Sequence, residues 1–210
     1  MQRYDQQQST YLPDREKRFT VMLDVLETLL PEHFVALDLA CGPGSMSQRL
    51  LSRFPQAHSI SRPPYTLEPG EAGGVETNMA AADGVVYVPV DNLPETFATA
   101  TAPVGTSNFY QGKGEMVAID IATGKPLWAT QLPQLLFGGA TVSNDLVWTT
   151  TFTGELLALS RQDGSVVWTA QLPAGSNATL AIVGNTLLAG AGIPLTATQH
   201  PVVVAYRLGT

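Results

Sequence analysis

Asp38, Gly42 and Gly44 are the residues of this chain whose types and spacing point most directly to chemistry. They stand in Leu37-Asp-Leu-Ala-Cys-Gly-Pro-Gly44, where an apolar run ends in a glycine turn. Glycines there let the backbone approach a ligand closely, and the N-terminus of a following helix offers free N–H groups and a positive dipole end. Other reactive groups are scattered. His33, His58 and His200 are each isolated from Cys41 and from paired carboxylates, so no metal-ligand spacing arises. Cys41 reads as a small buried residue, with no His placed to activate it and no second cysteine for an internal disulfide. No G-x-S-x-G elbow presents a nucleophilic Ser. Asp83, Asp91, Asp120, Asp145 and Asp163 are oxygen donors of the kind calcium takes, yet each sits near an expected hairpin turn, where Asp serves the backbone. The sequence therefore assigns no catalytic and no metal-binding residue.

The elements that must position the glycine turn can be read on either side of it. From Arg15 to Leu30, apolar Phe19, Met22, Leu23, Leu26, Leu29 and Leu30 fall on one helix face, and Pro31 stops it. Phe34 to Ala40 is a short apolar run of the buried parallel-strand type. From Ser45 to Phe54 helical spacing returns, with Ser45 as N-cap and Pro55 beyond the end.

This helix, strand, turn, helix order, with Asp-Leu-Ala-Cys-Gly-Pro-Gly at its centre, resembles the start of class I S-adenosylmethionine-dependent methyltransferases over about residues 14–58. The resemblance implies that Asp38, Gly42 and Gly44 lie beside the amino-acid portion of S-adenosylmethionine. It stops early. Such a fold needs a second strand with an acidic residue about 20 positions after the turn for the ribose hydroxyls. Here His58-Ser-Ile-Ser-Arg-Pro-Pro64 follows, with no carboxylate before Glu68 and a double proline that cannot continue a central strand. The expectation is a truncated unit of one strand and two helices.

Beyond it the chain repeats. Leu127-Trp-Ala-Thr-Gln-Leu-Pro133 aligns with Val167-Trp-Thr-Ala-Gln-Leu-Pro173, and Gly114-Glu-Met-Val-Ala-Ile-Asp120 aligns with Gly154-Glu-Leu-Leu-Ala-Leu-Ser160, both at an offset of 40. A weaker third copy runs through Ala178–Ala189 and Pro201–Leu208. Asp83-Gly84, Asn144-Asp145 and Gly184-Asn185 separate short apolar runs, as tight hairpins do. Four short strands in about 40 residues make one propeller blade.

Ala118-Ile-Asp-Ile-Ala-Thr-Gly-Lys-Pro-Leu-Trp128 satisfies A-x-D-x-x-T-G-x-x-x-W, the pattern of pyrroloquinoline-quinone-type β-propeller repeats, which this region resembles. The second copy keeps Ala158, Gly164 and Trp168 and places Ser160 and Asp163 at the other two positions. The resemblance implies a propeller in which the Trp pattern joins blades while any quinone lies on the axis of a complete ring. With blades at about 75–133, 135–173 and 178–208, the last lacking its fourth strand, the ring is partial and the quinone is not expected.

The fold class is thus mainly β: a partial β-propeller of about three four-stranded antiparallel blades, preceded by a small truncated α/β, Rossmann-like unit. Residues 1–60 form the methyltransferase-like segment, 61–74 a Pro- and Gly-rich linker and 75–210 the propeller. Composition follows this seam: residues 1–60 carry a net charge of −1, residues 61–210 carry −6, and 17 of the 19 glycines lie after residue 60. An acidic chain of net charge −7 is not expected to bind nucleic acid, and no apolar run is long enough to span a bilayer. The N-terminal residues are polar and do not read as a signal peptide, although propellers of this type are commonly exported. The functional expectation is a non-catalytic binding or scaffolding module, with a protein partner or self-association at its open edges, and its two halves read as a fragment or fusion. The competing expectations are an S-adenosylmethionine-dependent methyltransferase and a fragment of a quinone-dependent dehydrogenase.

Overall fold

The computed structural model describes residues 13–39, 45–62, 73–96, 98 and 106–207. The chain separates into two units, Met1–Pro63 and Pro64–Thr210.

In the first unit, helix α1 (Arg15–Leu29), strand β1 (Val35–Leu39), helix α2 (Ser45–Arg53) and strand β2 (His58–Arg62) follow one another. Strands β1 and β2 pair in parallel, from Val35 opposite His58 to Leu39 opposite Arg62. The second strand corrects the expectation of a single-strand unit: Pro63 and Pro64 limit it to five residues but do not prevent it, since they fall just after it. Of the apolar face assigned to α1, only Leu23 is buried, while Met22, Leu29 and Leu30 stay exposed. Charge holds the two helices together instead. The Arg49 guanidinium donates from Nε and Nη2 to Glu16, and Arg53 pairs with Asp24 and Glu27. Arg15 and Arg49 also lie over the Phe19 ring.

The second unit is built from antiparallel sheets of one design. The first holds β3 (Ala80–Ala82), β4 (Val85–Asn92), β7 (Lys113–Asp120) and β8 (Pro126–Leu132) in that order. The second holds β9 (Thr141–Ser143), β10 (Leu146–Thr150), β11 (Glu155–Ser160) and β12 (Val166–Gln171). The third holds β13 (Ala181–Val183), β14 (Thr186–Ala191) and β15 (Val202–Arg207). The first blade's insertion adds a small hairpin of β5 (Glu95–Thr96) and β6 (Thr106–Ser107), then a 3-10 turn at Phe109–Gln111. Within the two complete sheets the repeat is visible atom by atom. Ala118 faces Trp128 and Ala158 faces Trp168, and in both the register slips at the following residue.

Alternation along the strands puts a core on each side of the middle sheet. Val147, Leu157 and Leu159 pack against Tyr87, Met116, Ala118, Leu132 and Leu136 of the first repeat. Leu156 and Leu172 pack against Leu180, Leu187, Ala189 and Ala191 of the third. Each fully buried Leu contributes about 1.5–3 kcal/mol, so these contacts hold consecutive sheets together. The result is a partial propeller: among the described residues, two four-stranded blades and a third of three strands, which do not close a ring.

Candidate functional site

Because the blade sheets of the second unit run antiparallel, their connections fall alternately at two ends. One end carries the short turns between first and second and between third and fourth strands. The other gathers the insertion between β4 and β7, the tight β10–β11 turn and the linkers that pass from sheet to sheet.

At the short-turn end, Asp83 and Gly84 both adopt positive φ, as a two-residue hairpin with a twist matching its strands requires. The longer turns after β7 and β11 are built alike: Gly124 N–H donates to Asp120 O, and Gly164 N–H to Ser160 O. Asp120 accepts from both N–H and O–H of Thr123, which holds its carboxyl below the usual range. In the second copy Asp163 does the equivalent work by accepting from Ser165 and is likewise lowered. These turns lock neighbouring sheets. Trp128 Nε1 donates to Arg161 O at 2.9 Å, with the indole lying over Gly164. The Arg161 side chain reaches the Tyr87 hydroxyl (2.9 Å), Asn144 O (2.8 Å) and Asp83 (2.8 Å), and the Tyr87 and Asp83 contacts raise its already high pKa. Sequence reasoning found Trp128 and missed Arg161. The available signal was its repeat partner: Ile121 stands at the same place one period earlier.

The connection end holds the buried polar groups. Asp91, only 1 % exposed, lies inside β4 opposite Gly114 of β7. It is therefore not a turn residue as the sequence suggested; the turn expected nearby is displaced by a strand that runs on to Asn92. Its Oδ1 accepts from Leu136 N at 2.6 Å, and its Oδ2 is buried without a partner. Burial pushes the carboxyl up to about 7, against the Leu136 N–H, which lowers it, and with the Glu76 carboxylate adding to the rise. Nearby, Phe152 N–H donates to Leu135 O and Gly138 N–H to Thr150 O, while Thr150 Oγ1 bonds Ser176 Oγ in the interior. Four aromatic rings close this end. Phe109 and Tyr110 of the insertion, Phe137 of the linker and Phe152 of the β10–β11 turn lie with ring centres 5.3–5.8 Å apart. Tyr110 is 58 % exposed. No sequence signal marked this cluster, since none of its members occupies a repeating position.

Of the residues assigned to cofactor binding, Asp38 lies half-buried on β1 and accepts a hydrogen bond from Ser47 Oγ of α2. Gly42 and Gly44 lie outside the described residues, as does Cys41. Among the described residues no group of three His, Cys, Asp or Glu comes together as a metal would need. Asp83 and Asp145 occupy turns, where Asp83 pairs with Arg161 and Asp145 O accepts from Arg161 N–H.

The family model described as outer membrane protein assembly factor BamB matches residues 61–200. The chain belongs to this family. The match runs through strands β3 to β14, stops just short of β15 and leaves most of residues 1–63 outside it. No curated protein sequence matches the chain. Among solved structures, the quinohemoprotein alcohol dehydrogenase of Comamonas testosteroni is 19 % identical with a TM-score of 0.46, over 63 % of this chain and 26 % of that one. A europium-containing methanol dehydrogenase is 19 % identical with a TM-score of 0.42, over 57 % and 25 %. BamB of Moraxella catarrhalis is 21 % identical with a TM-score of 0.34, over 68 % and 48 %. The BamB-family chain thus spans about a quarter to a half of these proteins.

Proposed function

We propose that the chain is a non-catalytic propeller-type binding module, and that its third sheet takes an additional strand from a protein partner along β15. The observation that carries this reading is the open edge itself. In the first two sheets the third strand is covered by a fourth, β8 or β12, whereas β15 ends the third sheet among the described residues. Val202 and Val203 are 42 % and 72 % exposed on that edge, and Val183 and Leu188 extend the apolar surface across the outward face. Strand edges of this kind, long, apolar and lacking Lys or Pro, template pairing with another chain. The description of the family as an assembly factor supports a protein partner over a small molecule. The inner strands support the same reading: β3, β9 and β13 carry Ala, Thr, Val, Ser and Ile, with no cationic side chain to hold an anionic quinone.

Sedimentation of the full chain tests the proposal. Wild type is expected to associate with rising concentration, and Val203→Lys, which charges the edge, to remain monomeric. A wild-type monomer at about 100 μM, unchanged by Val203→Lys and with no strand peptide bound, would overturn it.

A second reading rests on the parallel β1–β2 pair joined through α2, the unit from which nucleotide-type sites are built. In it Asp38, Gly42 and Gly44 bind S-adenosylmethionine. Calorimetry with S-adenosylmethionine decides: binding lost in Gly42→Val supports it, and absence of heat in wild type removes it.

A further inference from the structure

We propose that Asp91 is a proton-operated latch on the linker between the first two sheets, a neutral carboxylic acid while the joint is closed and a carboxylate when it opens. The site is defined by geometry. Asp91 is almost wholly enclosed, and the face of β4 it occupies is the one that packs Tyr87 and Met116 against the second sheet. One carboxyl oxygen holds the linker through Leu136 N, and the other has no donor. A carboxylate in that position leaves its second oxygen desolvated, which costs far more than leaving a neutral carboxyl there.

The surroundings make ionisation worse. The segment before β3 brings Glu76, whose charge opposes that of Asp91. Strand β7 carries Lys113 and Glu115 on either side of Gly114, the residue in register with Asp91. The linker 133–140 has no charged residue, and the β10–β11 turn that bonds to it leads into Glu155 at the start of β11. No ion pair reaches Asp91 among the described residues, Lys113 included. With no cation on the carboxyl, the remaining donor is water. In the latch, water is admitted to Oδ2 by movement of the linker at Leu136, the segment that the other carboxyl oxygen holds. Phe137 follows directly, and its ring belongs to the aromatic cluster with Phe109 and Phe152. Opening the latch therefore loosens the exposed aromatic end while leaving the clamp at Trp128 and Arg161 in place.

The sign follows from linkage. The carboxyl is raised from 3.8 to about 7 on folding, so the native state holds its proton through that interval while the unfolded chain gives it up. Stability from this group is complete below about pH 4, falls as pH rises and levels off above about 7.

The test compares the full chain with Asp91→Asn in urea between pH 4.5 and 8. The ratio of their unfolding constants is expected to rise about tenfold per pH unit through the acidic range and to flatten above neutrality. Parallel profiles would overturn the latch. Should Asp91→Asn fail to fold, the carboxyl carbon resonance of Asp91 in wild type gives the same answer: a midpoint near neutrality supports it and one near 4 refutes it. Exchange of the Leu136 amide, corrected for intrinsic rate, is expected to accelerate above the midpoint in wild type, and exchange unaffected by ionisation would refute the opening.

Discussion

Gly164→Ala isolates the contact that joins the first two blades. The residue has φ +73, a left-handed conformation, and a Cβ there would stand 2.5 Å from Trp128 Cε3 and 2.5 Å from Thr130 Oγ1. Gly84 supplies the control: its φ is +76 and a Cβ meets nothing within 4 Å. Both substitutions pay the left-handed cost, about 1 kcal/mol. Only the first must also displace a packed indole, which adds about 1–3 kcal/mol for overpacking, and weakens the Trp128–Arg161 hydrogen bond, worth about 1 kcal/mol. Gly164→Ala should therefore be about 2 kcal/mol or more worse than Gly84→Ala. With a urea slope of about 2 kcal/mol per molar, that separates their midpoints by about 1 M. Tryptophan fluorescence is the natural assay, since Trp128, Trp148 and Trp168 all lie in the sheets. In a Trp128→Leu, Thr130→Ala background, which removes both close contacts, the excess cost of Gly164→Ala should largely disappear. Equal midpoints for the two alanine variants, or an excess that survives removal of both side chains, would refute the reasoning.

The same clamp makes a second forecast. Arg161→Met should cost about 2 kcal/mol, because it strands the Tyr87 hydroxyl and Asn144 O, whereas Asp83→Asn should cost under about 0.5 kcal/mol since that carboxylate is 82 % exposed. Chemical denaturation at neutral pH distinguishes them. Asp120 and Asp163, both held low by hydroxyl and amide donors, stabilise the native state above the ordinary carboxylate range and lose that contribution as pH falls through their folded values. An acid titration of stability should accordingly become shallower below about pH 4 in the Asp120→Asn, Asp163→Asn double variant.

Much of the second unit was legible because its signals are local and repeat. The turn pairs at Asp83-Gly84, Asn144-Asp145 and Gly184-Asn185 fixed the hairpins, and the offset of 40 fixed which strands correspond. What escaped was set by partners remote in sequence. Asp91 looks like any turn-forming Asp until β7 and the linker enclose it, 23 and 45 residues further on at Gly114 and Leu136. Arg161 reads as an exposed turn residue until Tyr87 and Asp83 arrive from 74 and 78 residues upstream. The aromatic cluster likewise assembles from the insertion, the linker and a turn. In the first unit the helical periodicity of α1 was correct, but its implication of burial was not. Among the described residues the face meets α2, and ion pairs on Arg49 and Arg53 bridge the two helices.

Two separate cores flanking one middle sheet make the second unit a linear stack. In such a stack each repeat answers only to its nearest neighbours. The interior member is packed on both sides, and the third, with three strands among the described residues, is packed on one. Opening should then proceed inward from β15, with the amides of β14 and β15 exchanging well before those of β10 and β11. Stability in this architecture grows with every copy added, because a new repeat turns a former end into an interior. Copy number itself becomes a coordinate along which such a chain can be tuned, independently of any single side chain.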